Sequence, residues 1–262
     1  MASIVDGDAR VLRGTTWHKL VPGARLEDGD IVSAGERAQV HLELNAGGLV
    51  NFVGTGTLYL VPPAGKAKSP ATMLVLPKGW LKIVVPPPGV QVRAAAADLT
   101  VATGAVVMRA DGPVLDFFVE SGSASIAELT ASGADQATRN AKQDEYWSKS
   151  ATGAFVPSTR PPRAFIDAIP RHYLDALPRF AAKFKNRPTL VAEREVSYAE
   201  AEPWLSGRDR PVFERRFSSR LRDPVFRKAV EPDVARYPSW DRRLHPEKFA
   251  PPPPKPRPAM SP

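Results

Sequence analysis

Through residues 1–130, apolar and polar side chains alternate in short runs, and most runs are closed by glycine, proline, asparagine or aspartate. Period-two alternation bounded by residues that tolerate positive φ marks antiparallel strands with one buried face. The runs cover residues 9–12, 17–20, 40–44, 49–53, 57–61, 73–76, 80–85, 99–102, 105–109, 114–120 and 124–129. Gly54-Thr55-Gly56 reads as the turn of a hairpin. Pro77-Lys78-Gly79 parts the next two runs, and Pro86-Pro87-Pro88 ends the ladder because proline has no amide donor. The alanines at 94–97 precede Asp98 and β-branched residues, which predicts a loop or strand entry rather than a helix. Many short, closely spaced strands predict a β-sandwich, barrel or roll. Trp17, Leu26, Ile31, Val40, Leu42 and Leu44 are expected in its core.

The pattern then changes. Residues 131–161 are rich in Ala, Ser, Thr and Gln and read as a linker ending in Pro157, Pro161 and Pro162. From residue 162 to 249 the apolar period is helical. Residues 164–169 form a short apolar helix bounded by Pro170. Leu174, Leu177, Phe180, Ala181 and Phe184 fall at three- and four-residue steps, which predicts an amphipathic helix. Ser197 and Glu200 fit a capping box. Phe213, Phe217 and Leu221 make a four-residue ladder, and Asp223-Pro224 supplies an N-cap with proline at the first helical position. Residues 238–241 begin a last helical turn, and residues 250–262 form a disordered, proline-rich tail. The organisation is therefore α+β multidomain, with an all-β unit at 1–130, a linker at 131–161 and a helical unit at 162–249.

A chain of 262 residues with 43% hydrophobic side chains has room for one large or two small cores. The lack of cysteine removes disulfides, thiol catalysis, iron–sulfur clusters and zinc fingers together. The net charge of +8 is unevenly spread: residues 1–150 carry 14 basic and 15 acidic side chains, whereas residues 151–262 carry 22 and 13. Asymmetry of this kind marks regions with different partners. No apolar run reaches the roughly 18 residues a membrane helix needs, and the chain enters its first strand with no leader pattern.

Two resemblances follow from specific residues. Residues 5–11 (VDGDARV), Trp17, residues 23–32 (GARLEDGDIV), Gly35 and residues 38–44 (AQVHLEL) follow in the order of the FecR domain, named after the periplasmic part of the ferric-citrate sensor. The resemblance implies a compact β-helical roll over residues 1–130 and a binding or scaffold role in the bacterial envelope. The helical half resembles a C-terminal region that accompanies FecR domains in exported Gram-negative proteins. The matching positions are Pro162, Phe165, Pro170, Asp175, Leu177, Pro178, Phe184, Tyr198, Trp204, Leu205, Asp223, Pro224, Phe226, Arg227, Pro238, Trp240, Asp241, Pro246, Glu247, Lys248 and Phe249. FecR domains are usually exported, so a periplasmic location with a leader absent from this chain is expected, a cytoplasmic one being the alternative. The namesake family signals through a membrane helix and a cytoplasmic anti-sigma segment. Neither matches a part of this sequence, so the signalling role itself is not carried over; the alternative function is the periplasmic part of such a regulator, its N-terminal portion removed.

Catalytic signatures are missing. His18, His41, His172 and His245 are scattered without metal-ligand spacing, and no nucleophile elbow, Ser–Lys dyad or phosphate loop occurs. Asp28-Gly29-Asp30 reads as turn chemistry rather than a calcium loop. Glu43, Asp98, Asp116 and Glu120 are the acids available for a glycosidase pair; on ordinary strands they face solvent beside basic neighbours. No cofactor and no metal is expected, and the chain is expected not to be an enzyme. The sharpest candidate is the run from residue 208 to 228, with eight basic side chains. On a helix Arg215 and Arg222 point away from the Phe213/Phe217/Leu221 stripe, Arg216 lies beside it, and Arg220 packs its stem against it. Arg215, Arg216 and Arg222 are the expected polyanion-binding surface, toward an envelope protein or anionic envelope polymer. Specific nucleic-acid binding is not expected, since no aromatic residues interleave with these arginines for stacking.

Overall fold

In a computed structural model of the chain, residues 1–62, 72–129 and 135–249 are described. The proline-rich tail, residues 250–262, lies outside them. Two compact units are present, Met1–Glu195 and Val196–Pro262.

The first unit is a β unit. Its strands are β1 (Ala2–Asp6), β2 (Ala9–Arg13), β3 (Thr16–Lys19), β4 (Ile31–Ala34), β5 (Gln39–Glu43), β6 (Leu49–Val61) and β7 (Thr72–Val85). There follow β8 (Val90–Arg93), β9 (Ala97–Asp111), β10 (Val114–Leu129), β11 (Asp135–Lys142), β12 (Tyr146–Lys149), β13 (Val156–Ser158) and β14 (Val191–Glu195). Among the described residues all fourteen join one sheet, whose main path runs β13-β12-β10-β9-β8-β7-β6-β4-β2-β3-β14, with β5 between β1 and β6. The pairings are antiparallel except β7 with β8. The expected all-β unit is present, with antiparallel pairing in place of the parallel rungs of a β-helix. Val11, Val40, Phe52, Leu81, Ile83, Val106, Phe117 and Ile126 are among the residues that fill its interior.

The longest strands are where the sequence pattern and the fold diverge. The expected hairpin at Gly54-Thr55-Gly56 is a bulge inside β6, where pairing to β7 shifts register between Val53 and Thr57. In β9 and β10 the gaps read at Gly104 and Gly122 are likewise bends within unbroken strands. Gly104 and Gly122 face each other in the ladder with φ of 99° and 77°. A β-carbon on Gly104 would lie 2.1 Å from the Ser121 carbonyl oxygen, so only glycine lets both strands turn the corner together.

The expected linker, whose residues 131–134 lie outside the described ones, contributes three strands, β11, β12 and β13. β11 and β12 both pair with β10, and Ala141, Trp147 and Phe155 lie in the main core. Polar composition concealed short strands that need only a few large apolar anchors. Of the expected core, Trp17, Ile31, Val40 and Leu42 are buried, while Leu26 and Leu44 are half-buried and packed against it.

Residues 163–195 belong to the β unit rather than to a helical one. Helix α1 (Arg163–Ala168) forms as expected and places Phe165 5.3 Å from Trp80 and 5.0 Å from Tyr146 on the outer face of the sheet. The amphipathic helix expected over residues 174–184 does not form. Two 3₁₀ turns (Arg171–Tyr173 and Ala181–Lys183) flank irregular chain, and Leu174 is 73% exposed. Pro178 in the middle removes a helical amide and crowds the carbonyl four residues before it, and the sheet supplies other partners for this backbone.

The second unit contains α2 (Tyr198–Leu205), α3 (Arg210–Phe217), α4 (Pro224–Val230) and α5 (Pro238–Leu244), the last three joined by 3₁₀ turns. The capping box is present, with the Ser197 amide donating to Glu200 at 3.0 Å, and Asp223 accepts from the Val225 amide at 2.9 Å. Trp204, Phe213, Phe217, Phe226, Tyr237 and Trp240 build an aromatic core by tilted and edge contacts and one stacked pair, Phe213 with Phe217. No helix among the described residues is long and apolar enough to cross a membrane.

Candidate functional site

The helical unit presents arginine in two states. Arg220 donates to the Val196 carbonyl and to Asp223, and its guanidinium lies over Phe226. Arg210 pairs with Glu214, Arg236 with Glu202, and Arg243 donates to the Ser218 carbonyl. Arg216 is half-buried, its guanidinium 5.8 Å from the Phe213 ring and 5.7 Å from the Phe217 ring. Arg215 and Arg222 are exposed, as are Arg227 and Lys228 on α4. None of these four makes an ion pair with a carboxylate among the described residues. Of the three expected surface arginines, two are therefore displayed and the third packs on the core. Phe213, Phe217 and Leu221 are all buried, the first two on α3 and the last on the 3₁₀ turn after it.

The β unit contains a second polar constellation. His41 on β5, Asn51 on β6 and Lys82 on β7 sit opposite one another in the ladder, which places their side chains on one face. All three are buried, His41 completely. The cover is the chain of residues 170–187. The His41 Nε2–H donates to the Pro178 carbonyl at 2.9 Å. Lys82 Nζ donates to the carbonyls of Tyr173 at 2.5 Å and Asp175 at 3.5 Å, and pairs with Glu120 at 3.0 Å. Glu43 accepts the amides of Phe180 at 2.6 Å and Ala181 at 2.8 Å. The Tyr173 hydroxyl donates to the Asn51 carbonyl at 2.7 Å, and Arg179 donates to the Gly47 carbonyl.

These environments shift ionisation in opposed ways. Burial holds the His41 imidazolium below its usual range, against the Pro178 carbonyl and Glu43, which favour the charge. Burial raises the Glu43 carboxyl, but the Phe180 and Ala181 amides and Ser3 outweigh it and hold the group below the usual carboxylate range. Burial also drives the Tyr173 hydroxyl well up.

The acids singled out for hydrolysis are each engaged. Glu43 binds the covering strap and Glu120 pairs with Lys82. Asp98 lies 3.7 Å from Arg93, and Asp116 accepts from the Tyr146 hydroxyl at 2.9 Å. Asp30 closes its turn by accepting the Glu27 amide at 2.8 Å and is paired with Arg13 at 2.7 Å, which is turn chemistry. Among the described residues no three His, Asp or Glu side chains converge in a way that could hold a metal. Alternation put Glu43 and Glu120 on a solvent face; a covering strap without regular structure leaves no period that would reveal the cluster.

No family model matches the chain, and no curated protein matches it. Among solved structures, two crystal structures described as a "putative anti-sigma factor" from Parabacteroides distasonis ATCC 8503 are similar. They share 14% and 13% identity at TM-scores of 0.42 and 0.41, and each match covers 50% of this chain and 59% of that one.

Proposed function

We propose that the chain is a non-catalytic binding module of the bacterial envelope, acting in the periplasm, whose helical unit contacts an anionic envelope polymer or the acidic surface of an envelope protein. The observation that carries this reading is the display of Arg215 and Arg222, exposed and without carboxylate partners among the described residues, in a unit that ties most of its other guanidiniums to acids, carbonyls or rings. Arginine held free of acids in a folded unit is an electrostatic surface for a negative partner. The engagement of Glu43, Asp98, Asp116 and Glu120 in structural contacts supports a role without catalysis.

The test is binding of the intact chain to vesicles containing anionic lipid, across a salt series. Arg215→Gln with Arg222→Gln is expected to weaken binding about 30-fold at low salt, since each basic residue near an anionic surface contributes about 1 kcal/mol. Thermal stability should hold within about 0.5 kcal/mol, as for exposed substitutions generally. Unchanged affinity in the double variant, or affinity indifferent to salt, rejects the surface.

The second reading is the envelope part of a FecR-type signal-transduction regulator. It is favoured by the run from Gly23 through Asp30 to Gly35, which occupies the turns on either side of β4. It requires a transmembrane helix encoded in frame upstream of Met1, whereas the first reading requires only a cleavable leader; the upstream DNA separates them.

A further inference from the structure

We infer that the polar sheet face around His41, Glu43, Asn51 and Lys82 is a binding groove for an extended segment of a partner protein, occupied here by the chain's own residues 170–184. The site lies wholly in the β unit and does not depend on the arginine surface of the helical unit.

The groove recognises main chain. Every polar bond from His41, Glu43 and Lys82 to the strap ends on a carbonyl or an amide: Tyr173, Asp175 and Pro178 accept, and Phe180 and Ala181 donate. Such contacts are indifferent to side-chain identity, so another extended chain with the same backbone path can make them. On the strap's own side, Tyr173 and Arg179 donate to the Asn51 and Gly47 carbonyls, and Leu177, Phe180 and Phe184 are half-buried. Tyr173 is its single buried side chain, inserted among Val107, Tyr146 and Phe165, while residues 174–176, 178, 179 and 181–183 are exposed.

The strap also leaves the groove unsatisfied. His41 Nδ1 and Asn51 Oδ1 are buried without a hydrogen-bond partner among the described residues. With Nε2–H committed to Pro178, both are spare acceptors. A buried acceptor without a donor loses its hydration uncompensated, a loss that a partner segment carrying a hydroxyl or amide side chain there recovers. The occupant is therefore an extended peptide with an aromatic residue in the Tyr173 position, a proline five residues later, and a donor side chain between them. Proline suits this place because the Pro178 position offers a carbonyl and needs no amide.

The probe is a labelled synthetic peptide of residues 170–184, added to the full-length chain. Tyr173→Ala, which weakens the internal strap and leaves the groove intact, is expected to bind it at least tenfold more tightly than the unmodified chain. Adding Glu43→Ala should abolish that gain. No binding to Tyr173→Ala that retains its near-ultraviolet circular dichroism overturns the inference. Hydrogen exchange of the unmodified chain provides a readout that requires no variant. The Phe180 and Ala181 amides should exchange faster as peptide is added, while β6 and β7 amides do not change. Strap amides that exchange only through global unfolding, at any peptide concentration, overturn it equally.

Discussion

His41 shows how a single buried side chain ties the covering strap to pH. Its imidazole is neutral in the folded chain because burial depresses its pKa, so the unfolded state binds more protons below the ordinary histidine value of about 6.5. The contribution is present in full above that value and is lost as pH falls toward the folded pKa, with a slope of at most about 1.4 kcal/mol per pH unit. Glu43, also depressed, adds a separate loss below its unfolded value of about 4.3. Denaturant unfolding between pH 7 and 5 should therefore show declining stability that His41→Gln, which keeps a donor for Pro178 but cannot titrate, flattens. A wild-type profile flat across that window would mean that His41 does not carry this linkage. At this scale the legible features were those whose partners lie close in sequence: the Asp30 turn, the Ser197–Glu200 box and the Asp223 cap. His41, Glu43 and Lys82 were illegible because their partners on the strap lie 91 to 138 residues away.

Strands were legible as strands, but their ends were not. A glycine between two alternating runs marks either a turn or a bend in one continuous strand, and the local sequence is the same for both. Only the partner strand decides. Gly112 links β9 to β10 as a true turn, with φ of 56° and nothing within 4 Å of the point a β-carbon would occupy, whereas Gly104 sits against the Ser121 carbonyl. The two should respond differently to the same change. Gly112→Ala meets only the backbone penalty, about 1 kcal/mol. Gly104→Ala adds a steric collision with backbone that cannot move aside, for a loss of at least about 2 kcal/mol. Equal midpoints for the two variants in urea would show that the bend tolerates a side chain. The same ambiguity explains residues 174–184, where helical spacing of Leu174, Leu177 and Phe184 was outweighed by Pro178 and by side chains reaching across from β5 and β7.

At the scale of the whole molecule, the change of period read near residue 162 does not mark the unit boundary, which falls after Glu195. Residues 1–195 contain 22 basic and 19 acidic side chains and residues 196–262 contain 14 and 9, so the excess of +8 divides into +3 and +5. The sequence halves placed all of it after residue 150 because the strap, rich in arginine and lysine, read as helical. The strap instead completes the β unit: it covers Lys82, His41 and Tyr146, and it leads into β14, which pairs with β3 and sets Glu193 on Arg10 at 2.8 Å. Residues 1–195 produced alone should therefore unfold cooperatively, with near-ultraviolet circular dichroism from the packed Trp80, Tyr146 and Trp147. Residues 1–161 should not. Without the strap, a buried lysine loses two carbonyl partners, Glu43 loses two amides, and the cluster of Trp80, Val107 and Tyr146 loses Phe165 and Tyr173. Loss of apolar cover from several large side chains at about 1.5–3 kcal/mol each is comparable with the roughly 5–15 kcal/mol by which whole domains are stable. If residues 1–161 melt as sharply and at the same temperature as residues 1–195, the strap is not part of the folding unit, and the boundary belongs where the sequence first put it.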